Sequence, residues 1–457
     1  MIVYIYDSNI NSELISTQKL KIKSNKIGLW TSTSLVVGNM IGAGIFLLPA
    51  SLAAFGGISI FGWIFSALGS LLLAKVFSEL GKKFPKNGGP YAYSKMGFGD
   101  FIGFLVAWGY WISCCCTNAG ITVALVSYLS VFIPSLSSSP LQSVLVGLTI
   151  IWLLTYLNTK GVKTSGRVQL VTTVLKLAPL ILVSVVGVFY VNIDNFTPFN
   201  VSSESTFSAI TLTATLTLFA FLGMECATIP AANIENPKKT IPKATMIGTW
   251  IAIGVYILGS VVLMGMIPAS VLQNSNAPFA DAAAIIWGEP ARYLVAAGAI
   301  ISTFGALNGW ILIQGQMPMA AAQDKLFPAI FGKENEKGAP AMGIVISSIL
   351  VTILILMNYS KSMIDAFTFI ILLSTMAVLV PYLFSMASYI ILILEDKFWK
   401  KNGMISHIVI AFLAFIYSLW AVAGSGQESV YWGFILLMAG IPFYIWIKYK
   451  NNLTKLK

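Results

Sequence analysis

One acidic residue lies deep inside an apolar run of this sequence, and its carboxyl group is well placed for proton chemistry. Glu225 stands in residues 219–227, which read FAFLGMECA. An acid in hydrocarbon costs about 2.5–3.5 kcal/mol on insertion scales, so such a residue is a functional hypothesis by default. We predict that Glu225 has a functional role; the competing interpretation is a structural glutamate that is neutral or hydrogen-bonded.

A glycine-rich segment offers a second kind of chemistry, through the backbone itself. Residues 38–46 read GNMIGAGIF, so three glycines fall within seven residues. Each glycine weakens a helix by roughly 1 kcal/mol relative to alanine. We predict that the helix unwinds here and that its freed amides and carbonyls bind a carboxylate and an ammonium group. Gly223, beside Glu225, would allow a second break, although glycines also serve as packing surfaces between membrane helices.

A lysine in the fifth apolar run is the other charge in an unusual place. Lys176 follows Arg167 by about nine residues, or roughly 13 Å along a helix. Its ammonium group either extends back to the membrane surface or takes part in a buried site, where it would bind and release protons. The sequence leaves both interpretations open.

These residues belong to a chain that lipid, rather than water, must surround. Of its 457 residues, 57% are hydrophobic and 10% are charged, whereas a typical soluble domain has about 25% charged residues. The net charge of +11 comes from basic residues in short loops between apolar runs, without clustered aromatics. We therefore predict an integral membrane protein embedded in the lipid bilayer, without a nucleic-acid partner.

The cysteines and the single histidine give no sign of a metal centre. Cys114, Cys115 and Cys116 are adjacent, and Cys226 lies in another apolar run, so their spacing fits neither disulfides nor zinc ligands. His407 begins an apolar run, which favours an interfacial position. No group of His, Asp and Ser suggests covalent catalysis. We expect no metal, no cofactor and no enzymatic activity.

Twelve apolar runs approach the roughly 20 residues that a membrane-spanning helix needs. They cover residues 28–52, 57–80, 100–134, 141–158, 166–191, 207–232, 244–268, 291–318, 341–358, 364–394, 404–424 and 429–447. We number them spans 1 to 12. The sequence thus predicts an all-α protein with twelve transmembrane helices.

Basic residues support this count because they alternate between the two sides of the membrane. Lysine and arginine occur in both tails and in every second loop, whereas only Arg292 and Lys361 lie in or beside the other loops. Basic loops face the cytoplasm. We therefore expect both termini in the cytoplasm, with residues 1–27 as a tail. Residues 1–24 lack the compact apolar stretch of a cleavable signal peptide.

The two glycine-interrupted runs are spans 1 and 6, five spans apart. Because five is odd, a second set of five spans would be inserted upside down relative to the first. This is the inverted-repeat geometry of alternating-access transporters.

Several motifs resemble the amino acid–polyamine–organocation superfamily, and most closely its basic amino acid/polyamine antiporters. The most specific is ENPKKTIP at residues 235–242. Other matches lie at residues 38–46, 89–93, 219–225, 308–310, 326–328 and 380–382. The resemblance runs through most of the chain. It implies a LeuT-type fold in which residues 28–394 form ten core helices as a 5+5 inverted repeat, with spans 1 and 6 broken, and residues 395–457 form two additional helices and a cytoplasmic tail.

The resemblance also implies roles for individual residues. Substrate-binding positions would be Asn39, Ile41, Gly42, Ala43, Gly44, Tyr110, Ser113, Cys114, Asn118, Phe219, Trp310 and Ser374. Gating positions would be Tyr110, Phe219, Trp310 and Tyr382. Glu225 matches an acid that senses protons, and Lys176 resembles a lysine whose ammonium group replaces a sodium ion in related carriers. Aromatic faces suit such substrates because each attracts a cation by roughly 0.5–2 kcal/mol.

Two departures bear on the substrate. Phe219 replaces a tryptophan of the arginine exchanger and Ala43 replaces a serine, which argues against strict arginine/agmatine recognition. We expect an antiporter in the bacterial inner membrane that exchanges a basic amino acid for its amine product, of the arginine/agmatine or ornithine/putrescine type. A proton-coupled amino acid symporter and a non-transporting nutrient receptor are the alternatives. Related antiporters dimerise, so a homodimer is a further expectation.

Overall fold

The computed structural model describes residues 26–160, 162–358, 361–395 and 403–455, and within these ranges all side chains except those of residues 162–171, 174–176 and 453–455. Fifteen α-helices of ten or more residues make up this part of the chain. They are α1 (Leu29–Met40), α2 (Ala43–Ala53), α3 (Ser59–Lys83), α4 (Pro90–Leu129), α5 (Pro140–Asn158), α6 (Val162–Gly187), α7 (Thr206–Ala220), α8 (Pro237–Met266), α9 (Pro278–Trp287), α10 (Glu289–Gln323), α11 (Ala341–Met357), α12 (Met363–Glu395), α13 (Met404–Gly424), α14 (Gln427–Met438) and α15 (Gly440–Lys455).

The prediction of an all-helical membrane protein is confirmed. Within the described ranges, nine helical segments are long and apolar enough to cross a membrane. They correspond to predicted spans 1–4, 7, 8 and 10–12. Within the described residues, three further apolar segments are shorter than this test requires, namely Leu177–Tyr190 at the end of α6, α7 and α11. The short apolar helix α9 lies between spans 7 and 8, where the sequence predicted no helix.

Span 1 is broken where the glycines predicted it. Helix α1 ends at Met40, Ile41 and Gly42 leave helical geometry, and α2 begins at Ala43. A side chain on Gly42 would lie only 2.8 Å from the Cβ of Ala306, so this glycine lets α10 approach the break. Gly42 therefore serves packing as well as unwinding.

Span 6 breaks more completely than the sequence indicated. Helix α7 ends at Ala220, and residues 221–225 form turns in which Gly223 has a φ of +106°. Side chains rarely adopt that backbone conformation. Only short 3₁₀ turns follow before α8 begins, so the α-helix does not resume within the predicted span. A Cβ on Gly223 would lie 3.1 Å from the Cβ of Asn39, which shows that the two breaks face each other.

The long helix α4 lies at the centre, where it packs most extensively against α12 and then α10. By contrast, only 28% of the most apolar stretch of α5 and of α13 is buried within the protein. Leucines on these helices are exposed instead, including Leu145 and Leu153 on α5 and Leu413 and Leu419 on α13. Lipid is the solvent for such faces, so α5 and α13 form the periphery and α4, α10 and α12 surround the breaks.

Candidate functional site

A small buried cavity lies between the two helix breaks. Its volume is about 10 Å³, room for about one water molecule. The lining residues are Asn39, Met40, Ala43, Gly44, Thr117, Ile121, Phe219, Leu222 and Trp310. All of them are buried. A solute larger than water therefore needs the surrounding helices to move apart.

Two aromatic side chains form part of the cavity wall. Trp310 on α10 donates an indole hydrogen bond of 3.0 Å to the carbonyl of Asn39, two residues before Ile41 leaves the helix. Phe219 lies at the end of α7, edge to face with Phe367 at 6.0 Å between ring centroids. Aromatic faces attract cations, tryptophan more strongly than phenylalanine. The wall thus suits an alkyl chain that ends in an ammonium group.

Thr117 brings a hydroxyl to the same cavity, and its neighbours determine what that hydroxyl can do. Ser113 Oγ donates to the carbonyl of Ser374 at 2.9 Å, and Ser374 Oγ donates to the carbonyl of Ser113 at 3.1 Å. Thr117 Oγ1 lies 2.7 Å from Ser374 Oγ, and either hydroxyl can donate this bond. Because a hydroxyl oxygen has two lone pairs, Thr117 can accept a hydrogen bond from a cation in the cavity.

A second series of hydrogen bonds sets the orientation of the Asn118 side-chain amide. Gln314 Nε2 lies 3.4 Å from the carbonyl of Ile344 and 3.0 Å from Ser348 Oγ. A carbonyl only accepts, so the oxygen of Gln314 faces Asn118, whose Nδ2 donates to it at 2.7 Å. The buried Oδ1 of Asn118 has no hydrogen-bond partner among the described residues. The Oδ1 atom of Asn118, next to Thr117 on α4, is therefore a further hydrogen-bond acceptor.

Glu225 joins three elements below the cavity. It is completely buried. Tyr110 on α4 donates to its Oε1 and Tyr382 on α12 donates to its Oε2, both at 2.6 Å. Hydrogen bonds to a carboxyl group are shorter and stronger than neutral ones when it is ionised. This triad ties α4 and α12 to the second break.

Tyr128 makes a second set of contacts, further along α4. Along α4, Tyr110 lies roughly 10 Å before Thr117 and Tyr128 roughly 16 Å after it. The phenol of Tyr128 donates to the carbonyl of Phe46 on α2 at 2.9 Å and accepts from the amide of Phe279 on α9 at 3.2 Å. We refer to the Glu225 triad and the Tyr128 contacts, which lie on either side of Thr117 along α4, as the two closures.

The structure brings most of the predicted site residues together, in distinct roles. Asn39, Ala43, Gly44, Phe219 and Trp310 line the cavity. Ile41 and Gly42 form the first break. Ser113 and Ser374 lie behind Thr117, while Tyr110 and Tyr382 lie at Glu225. Cys114 and Asn118 are buried but lie outside the cavity lining. The side chain of Lys176 lies outside the described residues.

Four lining residues were not named from the sequence: Met40, Thr117, Ile121 and Leu222. Thr117 carried a usable signal, because it follows the predicted site residue Ser113 by four positions and therefore lies on the same helix face. The three apolar residues carried none, since an apolar side chain in a membrane helix is the ordinary case.

Almost the whole chain is similar to known transport proteins. The family model described as amino acid permease matches residues 27–445. The putrescine transporter PotE of Haemophilus influenzae is 33% identical over 442 residues, which cover 95% of this chain and 100% of the relative. The cadaverine/lysine antiporter of Escherichia coli strain K12 is 37% identical over 338 residues, covering 73% and 75%. PotE of the same strain is 30% identical over 426 residues, covering 92% and 96%.

The predicted resemblance is thereby confirmed along almost the whole chain. The match includes both helix breaks, Glu225 and the cavity. A permease with helices of this kind moves solutes through a membrane and carries out no covalent chemistry. The chain belongs to the amino acid permease family of the amino acid–polyamine–organocation superfamily, and it is a membrane transporter rather than an enzyme.

Proposed function

We propose that the protein exchanges a basic amino acid for the amine formed by its decarboxylation, and that linear pairs such as ornithine/putrescine or lysine/cadaverine suit it better than arginine/agmatine. The observation that carries this proposal is the cavity between the breaks. It combines the aromatic faces of Trp310 and Phe219 with the hydroxyl of Thr117, which can accept a hydrogen bond from an ammonium group. The relatives named for putrescine and for cadaverine and lysine support the same substrate class.

The two ends of such substrates match the two sides of the cavity. The first turn of α2, at Ala43 and Gly44, presents backbone amides that suit the carboxylate of an amino acid. The end of α1, at Asn39 and Met40, presents carbonyls that suit an α-ammonium group. A diamine lacks the carboxylate but keeps both ammonium groups. One site can therefore hold either partner of the exchange, at different times.

Exchange follows if the two closures open alternately and only when the site is loaded. We assign the Glu225 triad to the cytoplasmic side and the Tyr128 contacts to the outer side, as the alternation of basic loops predicts. In this scheme residues 28–394 form the 5+5 inverted repeat of a twelve-span, LeuT-type carrier in the bacterial inner membrane, with both termini in the cytoplasm. Breaking the bonds of one closure while the other stays intact gives alternating access.

Counterflow in proteoliposomes tests the proposal. Vesicles are loaded with unlabelled putrescine or cadaverine, and radiolabelled ornithine or lysine is added outside without a pH gradient. We expect uptake only when the vesicles contain substrate. Uptake that ignores internal substrate and requires a pH gradient would instead identify a proton symporter, for which Glu225 and Lys176 are the candidate proton sites. Binding without any flux would identify a receptor.

A further inference from the structure

A second and much larger cavity lies at the far end of α4 from Glu225. Its volume is about 290 Å³. The end of α4, the turn before α5, the end of α11 and the start of α12 form its walls. Along α4 it begins at Thr122, whose hydroxyl donates to the carbonyl of Asn118. Its lining residues are all different from those of the cavity between the helix breaks.

The lining changes from polar to apolar with depth. At the rim, Ser137, Ser138, Lys361 and Ser362 are exposed. The floor consists of buried apolar side chains, namely Val126, Leu136, Val144, Ala366 and Ile370. The rim coincides with the ends of membrane-spanning helices, where lipid headgroups lie, and the floor lies further towards the membrane interior. The cavity therefore has the polarity profile of one half of a bilayer.

The rim carries a positive charge that is available to a ligand. The Lys361 ammonium group lies 3.9 Å from the centroid of the Phe369 ring, and within the described ranges it makes no ion pair. The nearby acid Asp365 accepts a hydrogen bond from Ser362 at 2.7 Å. Ser137 and Ser138 donate to backbone carbonyls. Lys361 is thus the cation that meets an incoming group at the rim.

The neighbouring surface shows from where the occupant comes. Leu141 and Leu145 on α5 are 65% and 55% exposed, and Met357 at the end of α11 is 71% exposed. These side chains face the hydrocarbon of the bilayer. A diamine would be repelled by Lys361, and a free anion would leave the apolar floor uncovered. The occupant must be anionic at one end and apolar at the other.

We propose that this cavity binds an anionic phospholipid, with its phosphate at Lys361 and an acyl chain over the floor. The bound lipid would contact the side of α4 that supports the transport site, because Ile370 lies within 3.6 Å of where a Cβ on Gly120 would stand. Anionic lipid should therefore stabilise the protein. This inference does not depend on which substrate is carried.

The test uses the purified full-length protein in neutral detergent after delipidation. Phosphatidylglycerol, phosphatidylcholine and soluble glycerol phosphate are titrated separately, and the unfolding temperature and the lipid retained in native mass spectra are recorded. The variants are Lys361→Gln, which removes the charge, and Val144→Phe, which fills the floor. Lys333→Gln is the matched control, since Lys333 is an exposed lysine that follows α10 and does not line this cavity.

We expect phosphatidylglycerol to raise the unfolding temperature and to be retained. Lys361→Gln should weaken its apparent affinity by about fivefold, the effect of one basic residue at an anionic surface. Val144→Phe should reduce retention although the charge remains, and Lys333→Gln should behave as the wild type. Equal responses of wild type and Lys361→Gln, or equal binding of phosphatidylcholine, would overturn the proposal. A full response to glycerol phosphate would show an anion site without a lipid chain and would overturn it as well.

Discussion

The indole nitrogen of Trp310 donates a hydrogen bond of 3.0 Å to the carbonyl of Asn39, the residue before the last one of α1. This bond ties α10 to the first helix break and places the indole ring against the cavity. The ring therefore has two separable functions, which are to anchor the break and to offer an aromatic face to a cation. Substitutions at this position can distinguish them.

We expect Trp310→Ala to raise the KM for putrescine or cadaverine by about 2- to 30-fold, because one cation–π contact is worth roughly 0.5–2 kcal/mol. Trp310→Phe keeps an aromatic face but loses the bond to Asn39, so it should have a smaller effect on KM and lower the unfolding temperature. Counterflow kinetics and thermal unfolding of both variants check this. An unchanged KM in Trp310→Ala would exclude the contact with substrate.

Glu225 should control how exchange depends on pH. Its two carboxyl oxygens accept from Tyr110 and Tyr382, and glutamine offers only one oxygen and no ionisable group. We expect Glu225→Gln to lose most of the pH dependence of exchange between pH 5 and 8. The exposed Glu204→Gln serves as the control. Parallel pH profiles of wild type and Glu225→Gln would refute a role in proton sensing.

The ion pair between Lys95 and Asp324, at the end of α10, should make the stability of the protein depend on pH in the acidic range. Lys95 Nζ lies 2.8 Å from Asp324 Oδ2, which also accepts from Tyr91 at 2.7 Å. Partial burial acts to raise the pKa of Asp324, but the hydrogen bonds from Lys95 and Tyr91 outweigh it, so the pKa lies below its usual value. A carboxyl group whose pKa is lower in the folded than in the unfolded protein stabilises the folded state. This stabilisation is fully present when the pH is above the unfolded-state pKa, and it is lost as the pH falls through the folded-state pKa.

Asp324→Asn should therefore lower the unfolding temperature at pH 7 and have no effect once the pH falls below the lowered pKa of the folded carboxyl group. Thermal unfolding of wild type and variant across pH 3 to 8 measures this. A difference that persisted unchanged at pH 3 would show that the charge of Asp324 contributes nothing.

The sequence predicted features that depend on local composition. Gly38, Gly42 and Gly44 indicated the first break, and Glu225 was conspicuous as an acid in an apolar run. The sequence alone could not predict which helices contact each other. The bond between Asn118 and Gln314 joins residues 196 positions apart, and α9 is a ten-residue apolar helix, too short for a spanning pattern. The bond and the short helix both depend on tertiary packing, which a local sequence pattern does not indicate.

Gly223 should be irreplaceable for a backbone reason. Its φ is +106°, and an added Cβ would lie 3.1 Å from the Cβ of Asn39. We expect Gly223→Ala to destabilise the protein by more than about 1 kcal/mol and to impair exchange. Gly254 in α8 is the control, because a Cβ there meets nothing within 4 Å and alanine favours a helix by about 1 kcal/mol. Equal unfolding temperatures for the two variants would contradict this account.

Thr117 should determine how tightly the second ammonium group of a diamine binds. Valine has the same shape but no hydroxyl, so Thr117→Val removes the acceptor that the bonds with Ser374 leave to the cavity. A hydrogen bond to a charged group contributes about 1.5–3 kcal/mol, so the KM for putrescine or cadaverine should rise by roughly 10- to 150-fold. The affinity for a monoamine inhibitor such as butylamine should change much less.

The control is Thr375→Val, one residue beyond Ser374. Its hydroxyl is buried and donates to the carbonyl of Ile371 within α12 at 2.8 Å, away from the cavity lining. Counterflow kinetics for each diamine, with butylamine as a competitor, give both affinities in one set of vesicles. If Thr117→Val and Thr375→Val had the same KM for the diamines while wild-type exchange was intact, the acceptor at Thr117 would not contact the substrate, and the second ammonium group would be held by the aromatic faces alone.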